Sequence, residues 1–135
     1  MQAVSAELYW LTAVALMTGL MWVPYILQLL GQMGVAGALM DGQHETPHEA
    51  AWARRAKRAH TNAVENLVVF APLAIGVHVL GASTPLTAMV SAIFFFSRAG
   101  HYVVYVLGLP LVRTLLFAVG VACQVILAAR ILGWV

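Results

Sequence analysis

The sequence predicts an all-α integral membrane protein, a four-helix bundle formed as one domain over residues 1–135. Three observations carry this. The chain is 62% hydrophobic and only 9% charged, and its mean hydropathy is +0.89, outside the range of a soluble globular domain. Three stretches are long enough to cross a bilayer, which takes roughly 20 helical residues, and a fourth qualifies once a few polar residues are admitted. The apolar residues come in runs and do not alternate, which excludes a closed β-barrel.

The spans are expected at about 8–30, 60–80, 86–107 and 111–132. The first follows "MQAVSAELYW", which has Glu7 and no Lys or Arg ahead of a long apolar run, so it reads as a span and not as a secretory signal. The breaks "GASTP" (81–85) and "GLP" (108–110) are turn chemistry, with Gly ending one helix and Pro starting the next. Pro24 and Pro72 are expected to kink the first and second spans, and the spacing of Gly31, Gly34 and Gly37 suggests close approach or a loosened helix end.

Basic residues set the orientation. Arg54, Arg55, Lys57 and Arg58 fall in the first connection, Arg98 and Arg113 flank the third, and Arg130 is alone near the other end. Both termini are therefore expected on the non-cytoplasmic side, with Trp10 and Trp134 anchoring that outer interface.

Length then forces polar groups into helices. Leu67 to Leu80 is only 14 residues, so the second helix must begin near Arg58 and carry Asn62 and Glu65. The third must likewise carry Arg98 and His101. Arg58, Asn62 and Glu65 fall at i, i+4 and i+7, and Arg98, His101 and Tyr105 at i, i+3 and i+7, giving two polar stripes at one depth. A single arginine here reads best as snorkelling to lipid phosphate, whereas the whole set reads as a lined cavity. Its excess positive charge and one carboxylate suit an anionic ligand that carries one amine.

These residues also carry a resemblance. "RAHTNAVEN" followed by "FAPLA", and "SRAGHYVVYVLGLPLVRTL" (97–115), resemble the signature blocks of the membrane-associated proteins in eicosanoid and glutathione metabolism, the MAPEG family. Arg58, Ala59, His60, Asn62 and Glu65 match the first block; Arg98, His101, Tyr105, Arg113 and Thr114 match the second. The chain departs from some members at Thr61, at "GQMG" (31–34), at Phe117 and at Val69, where Pro is displaced to Pro72, and in these respects resembles a bacterial microsomal glutathione transferase-like branch.

The resemblance implies a homotrimer that holds glutathione as co-substrate between protomers near the cytoplasmic face. Arg58, Asn62, Glu65, Arg98, His101 and Tyr105 would bind it, with arginines on its carboxylates and Glu65 on its amine. Arg113 would stabilise the thiolate, with Thr114 assisting as a hydrogen-bond donor or a holder of water. The second substrate would be a lipophilic electrophile or lipid hydroperoxide from the bilayer. The expected location is a bacterial inner membrane, with the active site facing the cytoplasm. A non-catalytic member of the same fold that binds a lipid or partner helix is the alternative, and a small transporter is a third reading.

Other features read as structural. "HETPH" (44–48) matches H-E-x-x-H, but Pro47 disrupts the helix such a site needs, so no metal is expected. Cys123 is expected to be a buried small residue, Gln124 an interhelical hydrogen-bond donor and His78 an interfacial residue. No nucleic-acid motif is present, and topology and anionic lipid account for the basic cluster 54–58.

Overall fold

The computed structural model describes residues 4–42 and 46–135, which form five α-helices. These are α1 (Ala6–Leu20), α2 (Val23–Met40), α3 (Ala51–Val79), α4 (Pro85–Leu107) and α5 (Pro110–Ile131). α1 and α2 together make the first of four spans long and apolar enough to cross a membrane. The chain is thus a multi-pass membrane protein with an all-helical fold.

The first span breaks where Pro24, in the opening turn of α2, has no N–H to continue the ladder. The Met21 N–H turns back to the Thr18 carbonyl, and the Tyr102 hydroxyl of α4 donates to the Met21 carbonyl at 3.0 Å. A neighbouring helix thereby satisfies backbone that lipid could not. Farther along, Gly34 has φ +74, so α2 is loosened inside its glycine-spaced end. Pro72, by contrast, leaves α3 continuous.

α3 begins at Ala51, well before the expected start, and its 29 residues measure about 43 Å at about 1.5 Å per residue. A hydrocarbon core of about 30 Å takes only part of that length, so the first turns stand clear of it. The cations Arg54, Arg55, Lys57 and Arg58 therefore lie on the helix and not in the connection. Two of them fix the helix start: Arg54 Nη1 donates to the His48 and Glu49 carbonyls, and Arg55 Nε donates to the Val106 carbonyl at the end of α4. A cation at a helix C-terminus also favours the dipole there.

Between lipid-facing surfaces the hydrophobic effect offers little, so packing depends on close backbone approach. α3 supplies it with Ala53, Ala56, Ala59 and Ala63, a buried small-residue face against its neighbours. Deeper in, Val14, Phe70, Ala74, Val77, Val90, Phe94, Cys123 and Leu127 form one core drawn from α1, α3, α4 and α5. Phe70 and Phe94 stack there with centroids 3.9 Å apart. Cys123 is buried, as the sequence led one to expect, and so is Gln124, whose Nε2 donates to the Asn66 carbonyl across α3 and α5.

The turn into α4 is a capping box in which Thr84 and Thr87 exchange side-chain and backbone bonds across Pro85. Glu7 of α1, fully buried, accepts from Ser83 and Thr87 and so places its carboxylate at the N-terminus of α4. That sign suits a helix N-terminus.

Candidate functional site

The site lies where α3, α4 and α5 meet at the end of the bundle that carries the first and third connections. At about 100° per residue, Phe94, Arg98, His101 and Tyr105 share one stripe of α4. Arg113 and Gly120 share one stripe of α5 with Leu127. The two stripes face each other.

Arg98 is 2% exposed. It stands nine residues before the end of α4, about 14 Å below it. Its Nη1 donates to Asn62 Oδ1 at 3.3 Å and its Nη2 to the Leu116 carbonyl at 3.1 Å, while Nε has no partner among the described residues. The guanidinium lies 5.6 Å from the Phe117 ring centroid and 5.9 Å from that of Phe94. Gly120 makes room for it, since a Cβ there would meet Nε and Nη2 at 3.2 Å. Arg98 is therefore sealed inside the protomer and reaches any ligand through Asn62.

Asn62 is half-buried at the edge of α3, and its Oδ1 also lies 3.4 Å from Asn66 Nδ2. With Oδ1 committed to two donors, the amide orientation is set and Nδ2 turns away from them. Asn66, which the sequence reading did not single out, is buried and anchors this arrangement with a second bond to the Asn62 carbonyl. Its spacing of four residues from Asn62 was the available signal.

The arrangement continues toward the helix ends. His101 is buried, with its ring 5.5 Å from Tyr105 and 6.4 Å from Phe117. The Arg113 guanidinium sits 4.4 Å from the Tyr105 ring centroid, a cation–π contact between α4 and α5. Asn62, Arg98, Phe117, His101, Tyr105 and Arg113 thus form one continuous polar and aromatic chain across three helices.

Arg58, Glu65 and Thr114 stand apart from that chain. Arg58 and Glu65 are exposed, because they lie about 40 to 60° farther round α3 than Asn62, away from its alanine face. The expected single stripe therefore splits within the protomer, with only its middle member turned toward Arg98. Thr114 is exposed too, about 100° round α5 from Arg113. Its hydroxyl donates to the Pro110 carbonyl at 3.0 Å, which commits the proton that the sequence reading offered to a sulfur. His60 also differs from a ligand: its Nδ1 lies 2.8 Å from the Tyr25 hydroxyl and ties α3 to α2.

Below Arg98 the apolar core begins with the Phe70–Phe94 stack, and the polar residues Asn66, Ser91 and Gln124 are buried around it. Of "HETPH", His44 and Glu45 lie outside the described residues. Among the described residues no group of three His, Cys, Asp or Glu side chains could hold a metal.

The sequence profile described as the MAPEG family matches residues 8–133. No curated protein and no solved structure matches the chain.

Proposed function

The chain belongs to the MAPEG family, which includes both glutathione transferases and non-catalytic members, and from that premise we propose that this protein is a membrane-bound glutathione transferase of the bacterial type. Proteins of this family generally use glutathione and are typically trimers. The single observation that carries the reading is the continuous chain from Asn62 through Arg98 and Tyr105 to Arg113.

In this reading glutathione lies along that chain, between neighbouring protomers of a homotrimer. Asn62 offers its oriented amide, and His101 and Tyr105 offer polar edges. Arg58 and Glu65 project from the protomer, which suits groups completed by a neighbour, with Arg58 on a carboxylate and Glu65 on the γ-glutamyl amine. Arg98 contributes by holding Asn62.

Arg113 is the group proposed to stabilise the thiolate. A free thiol has a pKa of about 8.5, and an adjacent guanidinium at the first turn of a helix lowers it. Tyr105 stacks on that guanidinium and limits where it points. Thr114 adds an acceptor for a water or for the thiol proton. The thiol proton leaves to water, the thiolate forms a carbon–sulfur bond to a lipophilic electrophile arriving from the bilayer, and the leaving group departs. With a lipid hydroperoxide, two glutathione thiols become one disulfide and the O–O bond is cleaved to alcohol and water. The active end would face the cytoplasm of a bacterial inner membrane, which accords with the positive-inside distribution.

A second reading, a non-catalytic member of the fold, is favoured by the committed Thr114 hydroxyl and by Phe117, which has no hydroxyl to offer. The two separate in one experiment. The purified protein is mixed with glutathione at neutral pH and the ultraviolet thiolate band is recorded, with Arg113→Ala as control. A band that disappears in Arg113→Ala supports the transferase. No band together with no heat of glutathione binding selects the non-catalytic reading.

A further inference from the structure

A second polar site lies at the start of α3, where Arg54 and Lys57 stand about 80 to 140° round the helix from Asn62, with Arg58 at its near edge. Thr46, His48, Arg54, Lys57, Arg58 and Thr61 line most of a cavity of about 330 Å³. Among the described residues no carboxylate lines it, and three cations share one concave surface. Such a surface raises the local concentration of anions.

Its walls are fixed. Gln28 and Gln32 of α2 hold the segment before α3: His48 Nδ1–H donates to Gln28 Oε1 at 2.7 Å, and Gln32 Nε2 donates to the Pro47 carbonyl at 3.0 Å. Gln32 Oε1 in turn accepts from the Glu49 N–H and from Gln28 Nε2. Arg54 ties Nη1 to the carbonyls of His48 and Glu49, which sets the plane of its fork. Lys57 and Arg58 are exposed at the mouth.

The setting is that of a lipid headgroup. α3 is longer than a hydrocarbon core requires, which puts its first turns at headgroup level, beside the partly exposed Trp52. Directly beneath Lys57 and Thr61, on the same face of α3, come Val64, Val68 and Ile75 at i+7, i+11 and i+18 from Lys57. All three are exposed, at 43%, 69% and 46%. An apolar strip thus continues from the cationic cavity toward the membrane interior, as an acyl chain requires and a soluble anion does not.

We propose that this cavity binds the phosphate of an anionic membrane lipid, with Lys57 and Arg54 as its principal partners and the acyl chain lying along Val64, Val68 and Ile75. The site shares Arg58 with the glutathione reading but does not rest on it, because its principal partners Lys57 and Arg54 belong to none of the glutathione contacts.

The test uses the full chain in nanodiscs containing equal phosphatidylglycerol and phosphatidylcholine, with retained lipid identified by native mass spectrometry. Wild type should retain phosphatidylglycerol at least about five-fold over phosphatidylcholine, the scale of one interfacial cation's preference. Lys57→Gln should reduce that preference several-fold with an unchanged melting temperature, and Lys57→Arg should restore it. Equal retention of the two lipids by wild type, or unchanged preference in Lys57→Gln, would overturn the proposal. Binding of inorganic phosphate by detergent-solubilised protein as tightly as the lipid would overturn the lipid assignment. Displacement of the lipid by millimolar glutathione would overturn its separation from the glutathione site.

Discussion

The Arg98 guanidinium donates to Asn62 Oδ1 at 3.3 Å across the α3–α4 contact, and it does so without a carboxylate among its hydrogen-bond partners. A charge in a membrane helix costs about 2.5 to 3.5 kcal/mol at the centre on insertion scales, so this bond persists against a real penalty. What it provides is an amide held in one orientation at the edge of the site.

Arg98→Met should therefore remove glutathione binding while keeping the helices. The apolar substitute fits among Phe94, Phe117 and the α5 backbone and relieves the cost of the buried charge. Asn62 loses a charge-assisted bond worth about 1.5 to 3 kcal/mol, an affinity loss of about 10- to 100-fold. Calorimetry with glutathione and circular dichroism on the same sample check both halves; unchanged affinity would refute the positioning role.

Gly120→Ala should lower the melting temperature without touching any ligand-facing group. Its new Cβ would stand 3.2 to 3.3 Å from three atoms of the Arg98 guanidinium, which is pinned on one side by the Leu116 carbonyl and cannot retreat freely. Overpacking of this kind costs about 1 to 3 kcal/mol. A melt equal to wild type would mean that Arg98 has a second resting place.

Thr114→Val should reduce turnover by only a few-fold, whereas Arg113→Ala should abolish it. The Thr114 proton is already given to Pro110, and removing that local bond takes away about 1 kcal/mol at most of anything shared with the ligand. Steady-state rates with a lipophilic electrophile measure both. A Thr114→Val loss as large as that of Arg113→Ala would show the hydroxyl rotating to the sulfur.

The start of α3 should loosen in mild acid. His48 lies outside the spans and is buried; burial first, then the charges of Lys57 and Arg54, holds its imidazole below the ordinary histidine range. Tyr25 and Asp41 also face it, so one carboxylate partly opposes those cations. With the folded pKa depressed, the neutral form favours folding. The stability is fully present above the unfolded value of about 6.5 and declines as pH falls below it toward the folded pKa. Protection of residues 46–50 against hydrogen exchange, relative to the intrinsic rate at each pH, should fall between pH 7.5 and 5.5, and His48→Gln should flatten that dependence. An equal pH response in the variant would assign the effect to another group.

Local properties were legible in the sequence by itself. Hydropathy over about 20 residues fixed the four spans, "GASTP" and "GLP" fixed two turns, and the length needed to cross lipid put Asn62, Arg98 and His101 inside helices. Those are properties of a segment and its solvent, and they need no neighbour. The facing of each helix was not legible, because it depends on what packs against what. Arg58, Asn62 and Glu65 look like one stripe at helical spacing, yet the alanine face of α3 chose Asn62 for the interior and left its companions outside. Nothing in the sequence marks Gly120 as the position whose missing side chain makes room for Arg98. Gln28 and Gln32 disappeared into a hydrophobic run until the segment before α3 folded back onto them. Burial of a polar group needs a partner within hydrogen-bond reach, and partners distant in sequence are brought there only by the tertiary structure.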